Sequence, residues 1–201
     1  IFTKSTTTLD ELNDISDDWK QYFDFKPYNF YKRWSNRLLT KSLYGTGPYA
    51  IEYPKLDHQG ISATSDKHIH LIIVGMNRMG IALAKEAAHL LHFPNFNEST
   101  GANRTRITFI DDNADIEKDF FAGRLSRFFD VSPILYADLS NDSFSEYKVL
   151  NPDKKHANFI DVQFEFIKGR VESNNVRKWI IQELKDDTAI TSIAICLQDV
   201  S

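Results

Sequence analysis

The stretch that decides the fold is HIHLIIVGMNRMGIALAKEAAHLL, residues 68–91. An apolar run, Ile69 to Val74, ends in Gly75, and five positions later Gly80 opens a segment with helical spacing. A continuous apolar run is what a strand covered on both faces needs. Gly80, Leu83, Ala84, Ala87, Leu90 and Leu91 then recur at the steps of one helix face, with Lys85, Glu86 and His89 turned outward. A strand that turns sharply into a helix favours glycine, which tolerates backbone angles that a Cβ resists. The same turn brings main-chain N–H groups at a helix N-terminus close to any anion bound there. Gly75, Met76, Asn77, Arg78, Met79 and Gly80 therefore form either a phosphate cradle or a tight corner without a ligand.

Downstream the alternation continues. ITFID (107–111) reads as a strand, Ala114 to about Phe129 as a helix, Ile160 to Ile167 as a strand, Asn175 to Leu184 as a helix, and Ala189 to Leu197 as a strand. The span from about 130 to 159 is long and irregular, as an insertion would be. Strands that alternate with helices predict an α/β fold: a Rossmann-like, doubly wound parallel sheet with right-handed crossovers, order 3-2-1-4, truncated after the fourth strand. A ligand of such a sheet belongs outside the carboxyl ends of its strands, beside the first turn.

Two further features fall at that edge. The second strand ends in Asp111 and Asp112, where a carboxylate can accept hydrogen bonds from ribose hydroxyls, and the third runs into Gly169 and Arg170, where a glycine permits close approach. Two features depart from the dinucleotide fingerprint. Asn77 stands where its second glycine belongs, and Asp111 follows Gly80 by 31 positions, against a usual spacing of about 20. The loop from His92 to Thr105 accounts for the excess. His68 and His70 share one face of a strand but lack a third ligand at metal spacing, so no metal site is predicted. No G-x-S-x-G elbow occurs, Cys196 sits in the apolar run SIAICL without a catalytic signature, and no catalytic residue is assigned.

The first 66 residues differ in character. Thr8 and Glu11 form a capping-box pattern ahead of Leu12, Ile15, Trp19, Tyr22 and Phe23, which predicts a short amphipathic helix. A stretch that interleaves aromatics with Lys26, Lys32, Arg33, Arg37 and Lys41 follows; it reads either as an arm wrapped on the body of the same protein or as a surface that docks on lipid headgroups or a partner, with Gln59 to Lys67 as linker. The division is thus an arm and linker over 1–66 and a nucleotide-binding domain over 67–201. A net charge of −4 argues against a nucleic-acid partner. No apolar run approaches the roughly 18 residues of a membrane span and no signal-peptide pattern stands at the start. With a single cysteine, these features point to the cytoplasm. The first residue is Ile1 rather than methionine, which suggests a piece of a longer protein.

LIIVGMNRMGIALAKEA, ITFIDDNAD, FEFIKGRVES and SIAICLQD together resemble the NAD-binding domains of the TrkA-N or RCK family, regulators of potassium uptake and conductance. Gly75, Arg78, Gly80, Asp111 and Gly169 match the family's G-x-G-R-x-G turn, its acidic strand end and its later GDA-like turn, whereas Asn77, Arg170 and Val171 depart from them. The resemblance implies a regulatory domain that binds NAD(H), ADP or ATP, assembles as a homodimer or higher oligomer, and couples occupancy to a membrane transport protein in the same or a partner chain. Two alternatives stand beside it: the cofactor domain of an NAD-dependent dehydrogenase or epimerase, and a ligand-free Rossmann-like assembly scaffold.

Overall fold

A computed structural model of the chain describes residues 29–40, 42–44, 51–53, 56–57, 60–140, 146–151 and 159–197. The helix expected between Thr8 and Phe23, with Lys26 and Lys41 of the basic stretch, lies outside them. The chain forms α1 (Phe30–Leu39), β1 (Ser42–Tyr44), β2 (Ile51–Tyr53), β3 (His68–Val74), α2 (Arg78–Leu90), β4 (Thr105–Asp111) and α3 (Ala114–Arg124). A 3-10 turn (Phe128–Asp130), β5 (Ile134–Asp138), β6 (Lys148–Val149), β7 (Val162–Lys168), α4 (Asn174–Glu183) and β8 (Ala189–Ile195) follow. β1 and β2 pair as a small antiparallel sheet.

The remaining strands form one mixed sheet in the order β6-β5-β7-β4-β3-β8, parallel except for β6, consistent with a Rossmann-like fold. The order differs from the four-stranded 3-2-1-4 expectation. β7, β4, β3 and β8 keep those neighbour relations, but β5 and β6 extend the sheet past β7. Both extra strands come from the segment read as irregular. Asn151 orders it: its side-chain oxygen accepts from Ile134 N–H at 2.9 Å, and its amide donates to the Phe129 and Ser132 carbonyls at 2.8 Å each. The expected helix from Ala114 breaks earlier than predicted, at Arg124, before Phe128 and Phe129 turn back onto the core.

Alternation along β3 divides the core. Ile69, Leu71 and Ile73 pack with Leu83, Ala84 and Ala87 of α2 and with an aromatic layer built from Phe109, Phe121, Phe129, Phe164 and Phe166. Ile72 and Val74 face Val176 and Trp179 of α4. With helices on both faces, the central strands are buried on both, which explains their unbroken apolar runs. α1 lies on α2 and contributes Leu39 to the first core, joined there by Ile61. Its position corrects the reading of α2: Glu86 is buried, with Lys32 Nζ 3.9 Å from its Oε1, while Leu90 is exposed.

The α4 face of the sheet carries a polar network that the sequence reading did not anticipate. Glu165, 1% exposed in the middle of β7, receives both Arg106 Nε at 2.7 Å and Nη2 at 3.1 Å. Thr108 Oγ1 at 2.8 Å, Gln163 Nε2 at 2.6 Å and Tyr147 OH at 3.3 Å also donate to it. Burial alone would raise this carboxyl, but the Arg106 guanidinium and the donated hydrogen bonds hold it down at about 2. Arg106 Nη1 also bonds Glu183 at 2.8 Å. Because the Thr108 hydroxyl gives its proton to Glu165, His70 Nε2, 2.8 Å from Thr108 Oγ1, is the donor of that pair. The bare Nδ1 then has no hydrogen-bond partner, because Glu183 Oε2, 3.3 Å away, is itself an acceptor.

Burial, followed by the Arg106 charge, pushes His70 from 6.5 to about 3. The unfolded imidazole therefore binds a proton that the folded one refuses. The stabilisation is complete above pH 6.5 and is lost as pH falls toward 3, at about 1.4 kcal/mol per pH unit for one proton. Urea unfolding at stepped pH should show this limb in the parent and a flattened one in His70→Gln. An unchanged slope in the variant would place the titrating group elsewhere.

Candidate nucleotide pocket

The carboxyl edge of the sheet is stitched across five neighbouring strand ends by four backbone bonds. Cys196 N–H donates to the Val74 carbonyl at 2.8 Å, Gly75 N–H to Ile110 at 2.9 Å, Gly169 N–H to Asp111 at 3.1 Å and Leu139 N–H to Lys168 at 2.8 Å. The first three of these bonds join residues that line a cleft of about 680 Å³, within the range of small-molecule sites. Gly75, Met76, Asn77, Asp111, Asp112, Gly169 and Arg170 line it. Arg78, Met79 and Gly80 do not. Arg78 is exposed beside the cleft, Met79 packs against the core, and Gly80 is buried beneath the first turn.

Each glycine of the edge has a steric reason. Gly75 sits at φ +101°, and a Cβ there would lie 2.5 Å from the Cys196 carbonyl oxygen. A Cβ on Gly80 would overlap the Gly75 carbonyl oxygen, so the helix approaches the strand only because none exists. A Cβ on Gly169 would come 2.9 Å from Val176 Cγ2, against α4.

Asp111 does two things at once. Its Oδ2 accepts from Met76 N–H at 2.8 Å and its Oδ1 from Asn113 N–H at 2.8 Å, which ties the first turn to the end of β4. A carboxylate has about four acceptor positions, so the two oxygens retain capacity toward the cleft. Asp112 holds Arg170 Nε at 2.6 Å, a bond that raises the guanidinium's already high pKa further. Asn77 is the N-cap of α2: its Oδ1 accepts from Met79 N–H at 3.0 Å and Gly80 N–H at 3.1 Å, and its Nδ2 donates to the Cys196 carbonyl.

Further lining residues escaped the sequence reading: Glu117 of α3, Val171 and Glu172 after β7, and Cys196 and Leu197 after β8. The last two were within reach, since a 3-2-1-4 order seats the fourth strand beside the first turn. Burial raises the Cys196 thiol, which disfavours the reactive thiolate. Among the described residues no group of three or more His, Cys, Asp or Glu is placed to hold a metal, and no helix is long and apolar enough to cross a membrane. Compared with family models, curated proteins and solved structures, the chain gives no significant match.

Proposed function

We propose that this chain is a regulatory module that binds an adenine nucleotide, NAD(H), ADP or ATP, in the cleft at the carboxyl ends of β3, β4 and β7. The observation that carries this reading is the Asp111 carboxylate, held at the cleft by two backbone N–H groups and still able to accept ribose hydroxyls. Occupancy then shifts the module between two arrangements by differential affinity, which requires no bond to break. The sequence resemblance adds the setting: an oligomer that controls a membrane transport protein. A second reading, the ligand-free scaffold, draws support from Asn77, which satisfies the first-turn N–H groups of α2 without any ligand.

Calorimetric titration tests the site. NAD(H) should bind more tightly than NADP(H), whose 2′-phosphate would meet the carboxylates of Asp111 and Asp112. Asp111→Asn, which keeps an acceptor for Met76 N–H but loses the charge and the acceptor for Asn113 N–H, should weaken binding by roughly 1.5–3 kcal/mol. Preferential NADP(H) binding, or unchanged affinity in the variant, would move the ribose site elsewhere. Steady turnover of NADH with an aldehyde or keto acid would replace the sensor with the dehydrogenase reading. Light scattering on the same samples reads the predicted nucleotide-dependent change in size or shape.

A further inference from the structure

We infer that the Asn77 carboxamide fills the anion seat of the first turn, so that the cleft recognises its ligand by the nucleoside end. Such a site selects against a ligand that needs its diphosphate at the N-terminus of α2. The inference rests on the nucleotide reading above and narrows its ligand class to a nucleoside, or a nucleotide whose phosphates project away from GMNRMG.

A phosphate at a helix N-terminus is held by first-turn N–H groups. Here those of Met79 and Gly80 both point at Asn77 Oδ1, 3.0 and 3.1 Å away. The other end of the same carboxamide donates to the Cys196 carbonyl, which anchors it to the end of β8. Two more donors of the turn are committed: Gly75 N–H to Ile110 and Met76 N–H to Asp111. A diphosphate could reach this seat only by displacing Asn77 from three hydrogen bonds.

Charge points the same way, and independently. The lining carries Asp111, Asp112, Glu117 and Glu172 against Arg170, whose Nε is bonded to Asp112 at 2.6 Å. A diphosphate brought among these carboxylates meets like charge at short range, whereas a neutral ribose meets acceptors for its hydroxyls.

The test is titration of the whole chain with adenosine, AMP, ADP and NAD, for the parent, Asn77→Gly and Asn77→Asp, with circular-dichroism melting to verify folding. In the parent, adenosine and ADP should bind within about threefold of each other. Asn77→Gly opens the seat and should make ADP bind at least about tenfold more tightly than adenosine. Asn77→Asp keeps a capping oxygen, and with the phosphates elsewhere it should change the ADP-to-adenosine ratio by less than about threefold. The inference falls if parental ADP already binds tenfold more tightly than adenosine, or if Asn77→Gly folds and leaves the ratio unchanged. It also falls if Asn77→Asp costs ADP alone tenfold, the arm that decides should Asn77→Gly not fold. Absence of binding by every probe to every protein overturns the nucleotide reading itself, and this inference with it.

Discussion

Arg106→Met should lower the unfolding free energy by about 3–5 kcal/mol, a large share of a small domain's total. The cost does not come from losing a favourable surface pair. Glu165 lies 1% exposed on β7, between β4 and β5, and the guanidinium is the cation that makes two of its hydrogen bonds. Removing it strands a buried carboxylate with only the neutral donors of Thr108, Gln163 and Tyr147. Glu165 must then either stay charged at high cost or take up a proton. The pairing of Arg106→Met with Glu165→Gln should recover part of the loss, because an amide tolerates the site without a counter-charge. Urea unfolding of the three variants measures both effects. A loss below about 1 kcal/mol for the single substitution would mean that water reaches the carboxylate and that the network behaves as a surface pair.

Gly80→Ala should cost roughly 3 kcal/mol or more and abolish the proposed nucleotide binding together with stability. The added Cβ would overlap the Gly75 carbonyl oxygen and lie 3.2 Å from Ile73 Cγ2. Backbone cannot step aside as a flexible side chain can, so α2 must lift from β3 and loosen Leu83, Ala84 and Ala87 from the core. The same shift would move the Asn77 cap and the turn that Asp111 ties down. Gly123→Ala in α3 is the matched control. There the new Cβ meets nothing within 4 Å, and the ordinary helix preference should stabilise by up to about 1 kcal/mol. Thermal unfolding should move in opposite directions for the two variants. A shift of the same sign and size would show that the close approach of α2 to β3 is not what Gly80 secures.

The fold was legible where local pattern and tertiary role coincide. Ile69 to Val74 could only be a strand buried on both faces, and the glycine turn after it, with Asp111 and Gly169 at later strand ends, located the cleft because strand ends in such a sheet converge on one edge. β5 was not legible. Its five residues after Pro133 are short, three of them are only half-buried, and the contact that orders the segment comes from Asn151, far along a span of polar sequence. Nor was the Glu165 network, since a lone acidic residue between two phenylalanines reads as one solvent-facing position of an alternating strand. What reverses that reading is Arg106, 59 positions earlier, brought alongside by the β4–β7 register. Glu86 was misplaced for a similar reason: the helix face it occupies is polar in sequence and is covered only because α1 docks there.

The most direct measurement is amide chemical-shift mapping of the isotopically labelled chain during titration with adenosine and then ADP. If the cleft binds the nucleoside end, amides of Gly75, Met76, Asp111 to Asn113, Gly169 and Arg170 shift together and saturate with either ligand. Those of Met79 and Gly80, committed to Asn77, respond no more to ADP than to adenosine. Shifts confined to other surfaces, or none at saturating ligand, would contradict a nucleotide site at this edge and leave the ligand-free scaffold as the account of the fold.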